Sequence, residues 1–205
     1  MTLFPFFINI QNEQGIITGG GKHTLEKIQR LKPYHPKLTI YSKTFLPEIE
    51  NDNDLKLVYR DMIDQDLDTN PKFVILASDN HDENHRLSAL CKEKNILVNV
   101  VDDQEYCDFI FPSLLTHGHL SIGICTNGAS PATGVLLKRK IEEQIPNNIE
   151  QILVFLKEKR HYINQTILNK KKRFSFYYAL SELCMNLNRP LSEKEFEELL
   201  KNFNT

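Results

Sequence analysis

Two apolar runs constrain the fold most: "FVILA" at 73–77 and "ILVNVV" at 96–101, both nearly continuous rather than alternating. A strand with water on one face alternates apolar and polar residues, so a uniformly apolar run needs cover on both faces. Strands of a parallel sheet flanked by helices have that cover. Shorter runs, "FFINI", "GIIT", "KLTIY" and "LSIGICT", alternate with helix-like stretches such as "TLEKIQRL" and "DENHRLSALCKEK" through the first 145 residues. Strands separated by helical patterns predict an α/β fold, a Rossmann-like parallel sheet with crossovers. The prolines of "LKPYHPK", 31–37, end the first helix. The polar segment 46–70 is expected to be loop with one short sheet piece, "LKLVYR".

Near residue 145 the character changes. From Pro146 onward there is no glycine, and Ile149, Ile152, Leu153 and Leu156 recur at helical spacing. The expected organisation is a nucleotide-binding domain with an active-site edge over 1–145 and a helical module over 146–205. The apolar positions of that module, among them Ile149, Leu153, Leu156, Leu180, Leu183, Phe196 and Leu199, exceed what one helical layer covers and predict a homodimer.

Charge is nearly balanced, 25 basic against 27 acidic residues, which argues against a general polycationic nucleic-acid binder. The basic and aromatic "NKKKRFSFYY" is read as a solvated helix face with an aromatic packing stripe. The four cysteines, at 91, 107, 125 and 184, have no C-x-x-C spacing, so neither a disulfide framework nor a zinc site is expected, and they should be reduced and mostly buried. The start "MTLFPFFINI" is too short and broken for a membrane span and lacks the charged flank of a signal peptide, which predicts a cytoplasmic protein.

"GIITGGGKHTLEK" reads as strand, turn, helix. Gly19 permits a tight turn and Gly21 lets a pyrophosphate approach the backbone, at a helix start that offers unpaired N–H groups. Gly20, Lys22 and His23 complete the candidate cradle, while Thr24 stands where the third small residue of the dinucleotide fingerprint belongs. A plain glycine turn is the alternative. The end of the second strand reads Tyr41, Ser42, Lys43, Thr44, with no carboxylate for a ribose 2′-hydroxyl. Lys43 either favours a 2′-phosphate or is simply solvated. Asp102 and Asp103 end a buried strand on the edge that carries the glycine turn. Asp102 is assigned to the site as base or orienting carboxylate and Asp103 to the turn. Ser130 followed by Pro131 has the N-cap then N1 order of a helix start, either a carboxylate-binding terminus or an ordinary cap. His81 and His85 are four apart, but the glutamate is misplaced for H-E-x-x-H and no metal site is assigned.

In this order, "FPFFINI", "GGGKHTLEK", "TFLPE", "ASDNHDENHRL", "ILVNVVDDQEYCDFIFPS" and "TNGASPATGVLLKRKIE" resemble the precorrin-2 dehydrogenases, the amino-terminal family of siroheme synthases. The resemblance implies oxidation of precorrin-2 to sirohydrochlorin with NAD⁺ in a homodimer whose carboxy-terminal helices intertwine; some members also insert Fe²⁺. It matches the family's key aspartate to Asp102, its cofactor contacts to the glycine turn with Lys22, His23, Lys43 and Thr44, and a serine modified in some members to Thr126. The tetrapyrrole is a polycarboxylate, for which Thr126, Gly128, Ser130, Lys138 and Arg139 are the candidate contacts. Asp102, His117 and His119 are the only cluster available for chelation. The chain departs from the family at His23-Thr24, usually a small apolar pair, and at Glu26, usually arginine. A nucleotide sensor without catalysis and an NADP-dependent reductase of a small substrate are the competing readings.

Overall fold

A computed structural model describes residues 3–204. The chain forms two compact units, one ending at Phe111 and the other beginning at Pro112. The change of composition at 146 therefore falls inside the second unit, which takes in residues expected to belong to the first domain.

In the first unit five parallel strands run in the order β3-β2-β1-β4-β5. They are β1 (Gln14–Thr18), β2 (Lys37–Tyr41), β3 (Lys56–Val58), β4 (Phe73–Leu76) and β5 (Leu97–Val100). Helix α1 (Lys22–Leu31) joins β1 to β2, the single turn α2 (Pro47–Glu50) precedes β3, and α3 (His81–Glu93) joins β4 to β5. Both faces are covered. Ile16, Val74, Leu76, Val98 and Val100 join Leu87 and Cys91 of α3 in one core, while Ile17, Phe73 and Ile75 join Ile28 and Leu31 of α1 in another. This explains the uninterrupted apolar runs, since each strand residue meets a helix on whichever side it points. Each fully buried Ile, Leu or Val of these layers contributes roughly 1.5–3 kcal/mol. A 3₁₀ turn at Lys32–Tyr34 and left-handed His35, at φ 53, end α1 as its prolines suggest.

Two expected strands differ. "FFINI" carries no strand and exposes Phe6 and Phe7; β1 lies beyond it. "LSIGICT" supplies β7 (Leu120–Ile124), which pairs antiparallel with β6 (Ser113–His117) and not with the parallel sheet. The two-residue loop Gly118–His119 sets this register, with Gly118 at φ 54 in the left-handed region that tight hairpins require.

The second unit continues with α4 (Pro131–Glu142), α5 (Ile149–Thr166), α6 (Lys170–Leu187) and α7 (Glu193–Asn204). Ile152, Phe155 and Ile163 of α5 pack with Phe176, Leu180 and Cys184 of α6 and Phe196 and Leu200 of α7. Leu180 and Phe196 are thus fully buried within one chain, and Leu156, Leu183 and Leu199 pack against the same core. The expectation that these positions need a second chain is corrected, because three helices rather than one layer enclose them. The exposed apolar residues are others, among them Leu168, Phe174 and Tyr178 around α6 and Val135, Leu136 and Leu137 on α4.

Candidate functional site

In the first unit the sheet order reverses direction between β1 and β4, and open α/β sheets bind ligands outside the strand carboxyl ends at such a point. The glycine turn leaves β1 there. Gly19 has φ 96, and a Cβ on it would lie 2.4 Å from the Ala77 carbonyl oxygen at the exit of β4. A Cβ on Gly20 would lie 1.9 Å from the Thr44 carbonyl oxygen, while Leu46 N–H donates to the Gly20 carbonyl at 2.9 Å. The turn is thereby pressed between the segments that follow β4 and β2, which brings Lys43 and Thr44 to its side.

Gly21 differs from both. It is the N-cap of α1, and a Cβ there would meet nothing within 4 Å. The first intrahelical bond of α1 runs from Leu25 N–H to the Gly21 carbonyl at 3.1 Å, so the amides of Lys22, His23 and Thr24 precede the helical ladder. Open space above a helix N-terminus, with exposed Lys22 and His23 beside it, fits a dinucleotide pyrophosphate in charge and in room. Thr24 is accommodated: it is fully buried, its hydroxyl donates to the Thr18 carbonyl at 3.5 Å, and a Cβ on Gly19 would crowd that hydroxyl at 3.2 Å.

Asp102 and Asp103 have different surroundings. Asp102 is exposed and left-handed, at φ 62, one residue beyond the last pairing of the β5 edge, where Val101 N–H donates to the Leu76 carbonyl at 2.9 Å. Asp103 Oδ2 lies 2.6 Å from His85 Nε2, and the His85 ring stacks on Tyr106 with centroids 3.8 Å apart. The turn closes on Cys107, whose buried sulfur accepts Val100 N–H at 3.1 Å and donates toward the Asp103 carbonyl at 3.3 Å. Burial pushes the Cys107 thiol up, so it acts as a small hydrogen-bonding core group rather than a nucleophile. His85, Tyr106 and Cys107 are the supports of this turn that sequence reasoning missed. The sequence signal was the four-residue step from His81, which puts exposed His81 on the first turn of α3 and His85 one turn later.

Lys43, read as a candidate for a 2′-phosphate, has its ammonium 2.6 Å from Asp61 Oδ2, with both side chains largely exposed. A shallow recess of about 210 Å³ lined by Lys32, His35, Pro36, Leu38, Asp54 and Leu55 lies at the opposite, amino-terminal edge of the sheet.

In the second unit Thr126, Gly128 and Ser130 form one turn. Thr126 Oγ1 accepts Ser130 N–H at 3.2 Å and donates to the Ser130 carbonyl at 3.1 Å, and Gly128 has φ 82. Ser130 Oγ caps α4 by accepting Thr133 N–H at 3.2 Å. Lys138 and Arg139 do not join them. They follow Ser130 by eight and nine residues, about 12 Å along a helix rising 1.5 Å per residue, and Arg139 lies in the last turn, where a cation suits the dipole. Of the residues considered for chelation, Asp102 belongs to the first unit, while His117 and His119 belong to the second, where they face Glu142 at 3.8 Å and Lys157 at 3.4 Å. Among the described residues no group of three or more His, Cys, Asp or Glu is arranged to hold a metal ion. None of their helices is long and apolar enough to cross a membrane. Cys91, Cys107 and Cys184 are buried and free; Cys125 is exposed and free. In "NKKKRFSFYY" Phe176 packs inward, while Phe174 and Tyr178 stay exposed beside the lysines.

Residues 6–113 match the model of an NAD(P)-binding family, NAD_binding_7. The siroheme synthase of Thioalkalivibrio sulfidiphilus is 31% identical over 98% of this chain and 42% of its own length. That of Pseudoalteromonas translucida is 30% identical over 86% of this chain and 38% of its own length. The chain thus spans less than half of these curated relatives. The solved structure of SirC, a precorrin-2 dehydrogenase, superposes with a TM-score of 0.71 at 20% identity, covering 98% of this chain and 99% of that one. The whole architecture, helical part included, is therefore shared with that fold.

Proposed function

The chain belongs to the NAD(P)-binding family, and we propose that it oxidises precorrin-2 to sirohydrochlorin with NAD⁺. The observation that carries this reading is one sheet edge bearing both a glycine turn with open space at Gly21 and an exposed carboxylate at Asp102. Similarity to siroheme synthases along nearly the whole chain supports the substrate.

When bound, NAD⁺ supplies the hydride acceptor for the dehydrogenation. The chain's own part is holding and proton handling. The first-turn amides of α1 receive the pyrophosphate, with Gly19, Gly20 and Gly21 shaping the turn and Lys22 and His23 adding donors. Lys43 and Thr44 border the adenosine side. Removing two hydrogens as hydride and proton leaves a proton to be accepted, and Asp102 takes or relays it. The substrate's carboxylates are held at the Thr126–Ser130 turn and the α4 N-terminus, with Lys138 and Arg139 reaching carboxylates farther out on the macrocycle. The exposed apolar residues of α4 and α6 form the surface for a second copy of the chain, and the dimer works in the cytoplasm.

Asp102→Asn tests the central residue. NAD⁺ affinity should be kept while sirohydrochlorin formation slows by roughly 10²- to 10⁴-fold, the usual contribution of a general base. If Asp103→Asn were the more damaging change, the catalytic assignment would move to that residue.

A further inference from the structure

The second strand ends without the carboxylate that dinucleotide-binding sheets use on the adenosine ribose. We propose that Asp61, delivered from the neighbouring edge strand, takes that role and sets a preference for NAD⁺ over NADP⁺. The inference rests on the glycine turn being the cofactor cradle.

The placement follows from the backbone. Beyond Tyr41, Ser42 N–H still donates to the Val58 carbonyl at 3.1 Å, so β3 stays beside β2 to its carboxyl end. The chain then turns at Arg60, whose N–H donates to the same carbonyl at 2.9 Å. The Arg60 guanidinium is fixed by two 2.7 Å bonds to Asp66, lies over the Tyr41 ring, and donates to the Asp61 carbonyl at 3.0 Å. Tyr41 hydroxyl also donates to Asp66, at 3.1 Å. On the other side Met62 is 5% exposed and anchored in the core. Asp61 is held between a pinned arginine and a buried methionine, so its backbone is fixed although its side chain is 70% exposed. The carboxylate stands 2.6 Å from Lys43, next to Thr44, whose carbonyl touches Gly20. Cradle, Thr44, Lys43 and Asp61 thus form one continuous border.

The chemistry follows from charge. A carboxylate accepts hydrogen bonds from the free hydroxyls of a ribose and repels a 2′-phosphate dianion. Lys43, which alone would attract that phosphate, is engaged by Asp61. The pair converts a strand end that reads as NADP-compatible into one that selects the unphosphorylated ribose.

The test is titration of the 205-residue chain with NAD⁺ and with NADP⁺ by calorimetry, without tetrapyrrole. Wild type should bind NAD⁺ more tightly. Asp61→Asn, with an unchanged melting temperature, should lower the NAD⁺:NADP⁺ affinity ratio by at least roughly tenfold. The Asp61→Asn, Lys43→Gln double variant should lose the NADP⁺ gain, because the freed ammonium produces it. An Asp61→Asn ratio equal to wild type, or a wild type that binds both nucleotides equally, would overturn the assignment while leaving the cradle standing. Failure of wild type to bind either nucleotide would instead remove the cradle reading and this proposal with it.

Discussion

Substituting Gly20 and Gly21 separately distinguishes a cofactor cradle from a structural turn, because the two neighbours face opposite constraints. At Gly20 a methyl group would stand 1.9 Å from the Thr44 carbonyl oxygen and 3.0 Å from the Phe45 Cα. Both obstacles are backbone, so no side chain can swing aside and the β2–α2 segment must retreat by about 1 Å; overpacking of this kind costs about 1–3 kcal/mol. At Gly21 nothing lies within 4 Å, and φ −95, ψ −165 is a conformation alanine adopts freely. There the loss of a favourable N-cap glycine is offset by reduced freedom of the unfolded chain, which leaves a net change within about 1 kcal/mol. Urea denaturation of Gly20→Ala should therefore show the larger loss of stability, and Gly21→Ala almost none. NAD⁺ titration should single out Gly21→Ala, with a loss of roughly tenfold or more, since its methyl occupies the pyrophosphate approach. A Gly21→Ala variant that binds NAD⁺ like wild type would refute the cradle and leave a mere turn; a fully stable Gly20→Ala would refute the steric reasoning.

Two further outcomes follow from other parts of the molecule. Hydrogen bonding to Arg60, ahead of the bonds from Ile63 N–H and Tyr41, holds the Asp66 carboxyl below the usual carboxylate range. Because the folded pKa is depressed, this contribution is complete above the unfolded value, about 3.9, and is lost as pH falls through the folded value. Asp66→Asn should lower stability at pH 7 by about 1–2 kcal/mol, discounted for the half-exposed arginine, and should flatten the acid limb of a stability–pH profile; an unchanged limb would exclude the cluster as its origin. For the dimer, Phe174→Ser with Tyr178→Ser alters residues 72% and 65% exposed and should lower the light-scattering mass from dimer toward monomer while leaving the far-UV circular dichroism unchanged; a monomeric wild type would refute the proposed pairing.

How far the sequence could be read depended on whether the decisive contact was local. Ile16 and Ile17 turn to opposite cores, so the runs that contain such pairs announced strands covered on both faces. "LSIGI" carried a different signal, the alternation of a half-buried strand, and Gly118 supplied the hairpin turn beside it; that period of two distinguishes β7 from the parallel strands. "FFINI" is as apolar as a strand, yet β1 takes the central place, and of this segment Phe6, Phe7 and Ile8 stay exposed while only Ile10 packs against the core. Leu180 and Phe196 looked unpartnered because their cover comes from helices beyond the reach of any local pattern. At the candidate site, the strand–turn–helix of Gly19–Gly21 is local and was readable in outline, whereas the sequence assigned the turn to Asp103 and the left-handed residue is Asp102. The Lys43–Asp61 and His85–Asp103 contacts each span 18 residues and arise only when neighbouring elements are brought together.

The proposed dehydrogenase activity is tested most directly by anaerobic incubation of the purified 205-residue chain with precorrin-2 and NAD⁺, followed by absorbance. Conversion to the sirohydrochlorin spectrum with stoichiometric NADH is expected, and none when NAD⁺ is omitted. A folded protein that binds NAD⁺ yet leaves the precorrin-2 spectrum unchanged would contradict it and assign the chain to nucleotide sensing instead.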